Sequence, residues 1–157
     1  MVSNVTHGTF TLARTFTAQP HQVFEAWANP NLKCRWFAER ELFREVSHTL
    51  DFRVGGAETL VGLQRGGRRF ENRAVYHIIS PSRRVAFSYT IAFDDAPVSV
   101  SLATLEMQPH ESGTQLLFTE QAAFLDLEHT AAGRKSGWAW LLSRLGEVAC
   151  EVPRRFD

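Results

Sequence analysis

Residues 70–102 read FENRAVYHIISPSRRVAFSYTIAFDDAPVSVSL, and the fold turns on how this stretch divides. Phe70 to Ile79 is a run rich in β-branched and aromatic residues that ends at Ser80-Pro81. Val85, Phe87, Tyr89 and Ile91 alternate with smaller or polar residues up to Asp94-Asp95, and Val98, Val100 and Leu102 alternate again beyond it. Period-two alternation marks half-buried strands, and Ser-Pro and Asp-Asp are turn chemistry, so three consecutive strands with short connections are predicted. Short connections join antiparallel neighbours, because a parallel pair needs a crossover of about a dozen residues or more.

The pattern extends in both directions. Upstream, Thr59 to Gln64 precede Gly66-Gly67, and Leu50, Phe52 and Val54 precede Gly55-Gly56, two glycine pairs that read as hairpin turns. Downstream, Pro109 closes the sixth strand and Glu111-Ser112-Gly113 makes a turn. After it Thr114, Leu116 and Phe118 share one face of a seventh strand, with Leu117 on the other. Near the start, Phe10, Leu12 and Phe16 alternate over Thr9 to Thr17, with Arg14 the odd member of the apolar face. Pro20 then opens a short helix carrying Val23, Phe24 and Trp27 that stops at Asn29-Pro30, and a second spans Asn31 to about Trp36. The segment from there to Val46 carries no clear period.

The period changes at the end of the chain. Trp138, Leu141, Leu142, Leu145, Val148 and Ala149 recur at helical spacing, predicting a long helix from about Thr130 to Glu151 that Pro153 terminates. Strands that cluster rather than alternate with helices define α+β. The expected architecture is a helix-grip fold in one domain, residues 1–157. A curved antiparallel sheet of about seven strands, with two short helices after strand 1, lies under a long C-terminal helix, and an apolar cavity lies between. An antiparallel meander twists and curls, and one helix against its concave face leaves space to be filled by core or by a ligand.

Composition narrows the function. Lys plus Arg and Asp plus Glu are 17 each, so no net field steers the chain toward nucleic acid. With 44% hydrophobic and 22% charged residues, 12 Phe and 4 Trp, a core forms without disulfides. No apolar run reaches the roughly 18 residues of a membrane span, and Met1 to Phe16 lack a signal-peptide pattern. Cys34 and Cys150 are unpatterned thiols, which suits a reducing compartment, so a cytoplasmic location is expected. No Gly-x-Ser-x-Gly elbow, phosphate loop or dinucleotide fingerprint occurs, and no cofactor or metal is expected.

Strand parity directs Phe70, Asn72, Ala74, Tyr76 and Ile78 inward, with Val85, Phe87 and Tyr89 on the neighbouring strand. Asn72, Tyr76 and Tyr89 stand out, because a polar tip facing an apolar cavity requires a hydrogen-bond partner, water or ligand. Leu116 and Phe118 face the same space, as do Trp138, Leu141, Leu142 and Leu145 of the helix, and Phe37 follows the second short helix. Arg14 and Glu120, at the end of the seventh strand, form a buried ion pair, clamp a ligand, or leave the core near a strand end. A buried Glu120 would also supply a pocket acid or base. His77, of opposite parity to Tyr76, faces solvent. Asp126, Glu128 and His129 have the composition of a metal site but too few ligands, and read as acidity before a helix N-terminus. Arg65, Arg68, Arg69 and Arg73 around one hairpin read as a solvated edge that discourages sheet-to-sheet pairing.

Several of these stretches carry a family resemblance. They are Ala18-Gln19-Pro20-His21-Gln22-Val23-Phe24-Glu25-Ala26-Trp27 with Asn29-Pro30 and Trp36; Arg53-Val54-Gly55-Gly56; Ile78-Ile79-Ser80-Pro81; Gly113-Thr114; and Gly137-Trp138 with Leu141, Leu142 and Leu145. In order and spacing the chain resembles the START-like superfamily, also called Bet v 1-like, SRPBCC or polyketide cyclase-like. Within it the chain is similar to the branch containing the C-terminal domain of the activator of the heat-shock chaperone ATPase. It departs from that branch's usual residues at Arg73, His77, and Phe37 or Tyr89. The resemblance implies a deep pocket for an apolar or amphipathic small molecule, but no fixed catalytic set. Two other functions follow as alternatives: a module binding a chaperone or other protein, and a cyclase-like or hydrolase-like enzyme. Exposed strand edges and Trp140 offer surfaces for a homodimer.

Overall fold

A computed structural model describes residues 1–38 and 41–156. Along the chain run β1 (Thr6–Phe16), α1 (Pro20–Ala28), α2 (Pro30–Phe37), β2 (Phe43–Leu50), β3 (Ala57–Gln64), β4 (Arg69–Ser80), β5 (Arg84–Phe93), β6 (Ala96–His110), β7 (Gly113–Phe124) and α3 (Ala131–Ala149). The strands form one curved sheet in the order β1-β7-β6-β5-β4-β3-β2, with every neighbouring pair antiparallel. Each strand from β2 to β6 pairs with the next in sequence, as its short connections require, and β1 lies on the far side of β7. This is the α+β helix-grip architecture read from the alternation.

Helix starts follow local chemistry. Pro20 and Pro30 each occupy the first helical position, where the missing N–H is not needed, and Asn29 accepts from the Asn31 N–H at 2.9 Å as the α2 cap. Thr130 caps α3, its hydroxyl accepting from the Gly133 N–H at 3.1 Å. α3 lies on the inner face of the sheet, with Trp138, Leu142 and Leu145 buried against Leu105, Leu116 and Phe118. Trp138 is the hub: its ring lies 4.3 Å from Phe118 and 6.1 Å, in parallel, from Trp27. Such close-packed aromatic contacts add to burial of roughly 25 cal/mol per Å² of apolar surface.

The close approach of α3 to β1 depends on Gly146. A Cβ placed there would lie 2.7 Å from the Phe16 ring. Gly146→Ala is expected to destabilise by about 1–3 kcal/mol despite the better helix propensity of alanine. A urea midpoint equal to or above that of the wild type would show that the helix has room to shift.

Two β-bulges correct the strand assignments. The strand expected around Leu50, Phe52 and Val54 is β2, displaced toward the N-terminus and covering part of the segment without a clear period. Its register breaks between Arg44 and Ser47, where Glu45 adopts φ 52°, and this hides the alternation. Phe52 leaves the sheet and packs edge-on against Tyr76 at 4.9 Å and Phe24 at 5.6 Å, while Val54 is 62% exposed. A second shift between Tyr76 and Ile78 on β4 reverses parity, so Ile78 faces solvent and Ile79 turns to the core. His77 is exposed and bonds Ser88 Oγ at 2.8 Å.

Candidate ligand cavity and its buried polar networks

Between α3 and the inner faces of β3, β4 and β5 lies a cavity of about 250 Å³. Its walls are Phe37 from α2, Leu42 just before β2 and Phe43 at its start, Leu60, Phe70, Asn72, Tyr89, Ile91 and Phe93 from the sheet, and Arg134, Gly137, Trp138, Trp140 and Leu141 from α3, with His129 just before it. Positions 134, 137, 138 and 141 share one helix face at spacings of three and four. Gly137 leaves the space open there, since a Cβ on it would meet nothing within 4 Å. An aromatic row continues across the strands, with Phe43 stacked on Phe70 at 4.8 Å and Phe70 against Phe93 at 5.6 Å.

Among the residues singled out from sequence, Phe37, Phe70, Asn72, Tyr89, Trp138 and Leu141 come together around this cavity. Tyr76, Phe87, Leu116, Phe118, Leu142 and Leu145 are buried in the packed core below it. Arg14 and Glu120 do not meet. Arg14 lies opposite Leu116 and its guanidinium donates to the Ala13 carbonyl at 3.0 Å, whereas Glu120 lies opposite Phe10, four residues further along β7. Of the three alternatives for these residues, the mutual ion pair is therefore excluded: β7 runs on to Phe124, and the partner of Glu120 comes from α3 instead.

Glu120 is fully buried and accepts from the Tyr89 hydroxyl at 2.5 Å and Ser101 Oγ at 3.0 Å. Arg134 reaches it at 3.4 Å, and the guanidinium also donates to Tyr89 Oη at 3.1 Å, Ser101 Oγ at 3.3 Å and Ser99 Oγ at 2.8 Å. The Trp138 indole N–H donates to the same tyrosine oxygen at 2.9 Å. Burial pushes the Glu120 carboxyl above the usual range, against the pull of Tyr89 and Arg134. Glu120 itself does not line the cavity. Tyr89, Trp138 and Arg134 do, and they stand between it and the open space.

A second buried network lies where α1 and α2 meet the sheet. Lys33, 1% exposed, donates to Glu58 Oε1 at 3.1 Å, and the Tyr76 hydroxyl donates to the same oxygen at 2.6 Å. His48 Nε2 lies 2.7 Å from the other carboxylate oxygen, and the Trp27 indole donates to Tyr76 Oη at 3.1 Å. The Lys33 ammonium also sits 4.1 Å over Trp27 and 4.5 Å over Phe37, a cation held by aromatic faces as well as by its counter-ion. Burial pushes the Glu58 carboxyl up, but Lys33, His48 and Tyr76 together outweigh it and bring it down to about 2. Burial and Glu58 both push the Tyr76 hydroxyl well above its ordinary value, so it stays a donor.

This fixes a sign for the acid limb of stability. The folded value of Glu58 lies below its unfolded one, so its contribution is complete above about pH 4.5 and disappears as the pH falls toward about 2. At about 1.4 kcal/mol per pH unit that is about 3 kcal/mol. Urea midpoints measured across this window are expected to fall steeply for the wild type and less steeply for Glu58→Gln. Parallel curves would remove Glu58 from the account.

Neither Lys33, Glu58, His48 nor Arg134 was identified from sequence, although signals existed. Glu58 alternates with Leu60 and Gly62 on the inner face of β3, Lys33 precedes Trp36 and Phe37 by one helical turn, and Arg134 precedes Trp138 by one. The Asp126, Glu128 and His129 cluster is a turn before α3. Asp126 accepts from the backbone N–H groups of Glu128 and His129 and from His129 Nδ1 at 2.8 Å, and the His129 bonds hold its carboxyl below the usual range. The arginine cluster is not a strand edge, since β4 lies between β3 and β5. Glu71 pairs there with Arg69 and Arg73, and Arg68 covers the Phe93 ring at 4.0 Å.

A curved seven-stranded sheet gripping a C-terminal helix, with an aromatic cavity between them, defines a protein of the SRPBCC or Bet v 1-like superfamily. Within it, the family described as Activator of Hsp90 ATPase homolog 1-like protein matches residues 17–149, and the chain belongs to that family. It is similar to the Mll3558 protein from Rhizobium loti at 38% identity, covering 92% of this chain and 98% of that one, with a TM-score of 0.84. A protein from Rhizobium leguminosarum is 29% identical over 97% of this chain and 100% of its own, with a TM-score of 0.89. A Chromobacterium violaceum protein at 23% identity, covering 90% and 96% of the two chains with a TM-score of 0.71, shares the fold. No curated protein matches the chain. Among the described residues no helix is long and apolar enough to cross a membrane.

Proposed function

We propose that the protein binds an apolar or amphipathic small molecule in the cavity between α3 and the sheet. The observation that carries this reading is the aromatic lining around open space at Gly137, where a packed core would bring side chains into contact. N-phenylnaphthylamine, a neutral fluorophore that brightens in apolar sites, is expected to titrate to saturation at one site. Emission that rises linearly without saturating would count against the site. Leu141→Asp is the matching variant.

A second reading is a protein-binding module, in keeping with the chaperone activator for which the family is named. It is favoured by the outer sheet face, where Val75, Ile78, Val100 and Leu102 are exposed. A pulldown with Leu102→Lys that recovers the same partners as the wild type would remove this face from consideration.

A further inference from the structure

The described lining of the cavity includes a polar side chain whose amide no protein group hydrogen-bonds. Asn72 is 8% exposed and lines the cavity, yet its side-chain amide has no hydrogen-bond partner among the described residues. Asn72 is not among the described residues with a fully buried side-chain nitrogen or oxygen left without a partner, so its amide opens onto the cavity and is free to bond what enters there. Strand pairing places Asn72 opposite Ile91, between Phe93, on whose ring His129 stacks at 5.4 Å, and Tyr89, to which Arg134 donates. The polar groups of the lining therefore gather at one end, beside the N-terminus of α3.

That end is electropositive as seen from the cavity. Among the described residues no Asp or Glu lines it. The Arg134–Glu120 ion pair is oriented with the guanidinium in the wall and the carboxylate behind Tyr89, so it presents its positive end to the open space. The first turn of a 19-residue helix adds the positive end of its dipole. Of the acids just before α3, Asp126 is bonded to His129, and Glu128 lines the adjoining surface groove.

We propose that the ligand carries an acid group received by Asn72 and Arg134, with a compact aromatic or alicyclic body lying on Phe37, Phe70 and Trp138. This rests on the reading of the cavity as a ligand site. A cavity of about 250 Å³ suits a body of one or two fused rings rather than a long acyl chain.

Naphthoate and naphthamide are equal in shape and differ in charge, so calorimetric titration of the two isolates the acid. Naphthoate is expected to bind about tenfold more tightly or better, the usual gain for hydrogen bonds to a charged group. Asn72→Leu is expected to lose about tenfold in naphthoate affinity and to keep N-phenylnaphthylamine. Arg134→Gln made together with Glu120→Gln strands no buried charge and is expected to abolish the preference for the acid. Equal affinities for naphthoate and naphthamide, or naphthoate affinity unchanged in Asn72→Leu, overturn the proposal. If N-phenylnaphthylamine binds while neither naphthalene compound does, the acid clamp fails and the apolar site stands. If none of the three binds, both fail.

Discussion

Glu58→Ala is expected to lower stability by about 3–5 kcal/mol, the usual range when one partner of a buried ion pair is removed. The substitution deletes a small part of the core, but it leaves the Lys33 ammonium, 1% exposed, without its counter-ion, and His48 and Tyr76 without their acceptor. The aromatic faces of Trp27 and Phe37 remain over Lys33, yet contacts of that kind contribute only about 0.5–2 kcal/mol. For a chain of this size the melting temperature should drop by about 10 °C or more. The control is Lys33→Met combined with Glu58→Leu. Removing both charges together eliminates the stranded cation, and the double variant should recover much of the loss. A single variant that melts within about 2 °C of the wild type would mean that water already reaches this network.

Leu141→Asp is expected to reduce binding of N-phenylnaphthylamine about a hundredfold while leaving the fold intact. Leu141 lines the cavity but is only half-buried, so the carboxylate can turn toward water in the empty protein. When the probe enters, that carboxylate must either be desolvated against an aromatic body or be displaced, and both are unfavourable. Its neighbour Leu142 is fully buried in the core below, and Leu142→Asp should unfold the protein instead. The contrast between adjacent residues makes the result diagnostic. Unchanged affinity in Leu141→Asp, with an unchanged melting curve, would place the probe elsewhere.

Most of the architecture was legible because alternation and turn chemistry agree. Val85 to Ile91 and Thr114 to Phe118 keep strict period two, the glycine pair Gly66-Gly67 and the Asp94-Asp95 turn sit at hairpins with positive φ, and Pro20 and Pro30 start helices. The misplaced β2 and the outward Ile78 share one cause: a bulge adds a residue that reverses parity while leaving composition untouched. The site was legible in part. Asn72, Tyr89 and Trp138 could be placed by parity and helical spacing, since an inward polar tip is unusual. Lys33, Glu58 and Arg134 were not found because such residues are ordinarily solvated, and only the tertiary fold brings Lys33 to Glu58 or Arg134 to Tyr89. The alternatives for Arg14 and Glu120 stayed open in the sequence for a related reason: shared parity puts two residues on one face without fixing their distance along it.

Gly137 permits a direct measurement of whether the cavity holds a ligand. Gly137→Leu fills the open mouth from a helix position where an added Cβ meets no neighbour and where leucine is a better helix former than glycine. Wild type and variant, purified in parallel, would be analysed by native mass spectrometry before and after incubation with N-phenylnaphthylamine. One small molecule is expected per wild-type chain and none on the variant, with both chains folded. Equal occupancy of the two proteins, or a wild type that stays bare even with the probe present, would show that the cavity is not a ligand site.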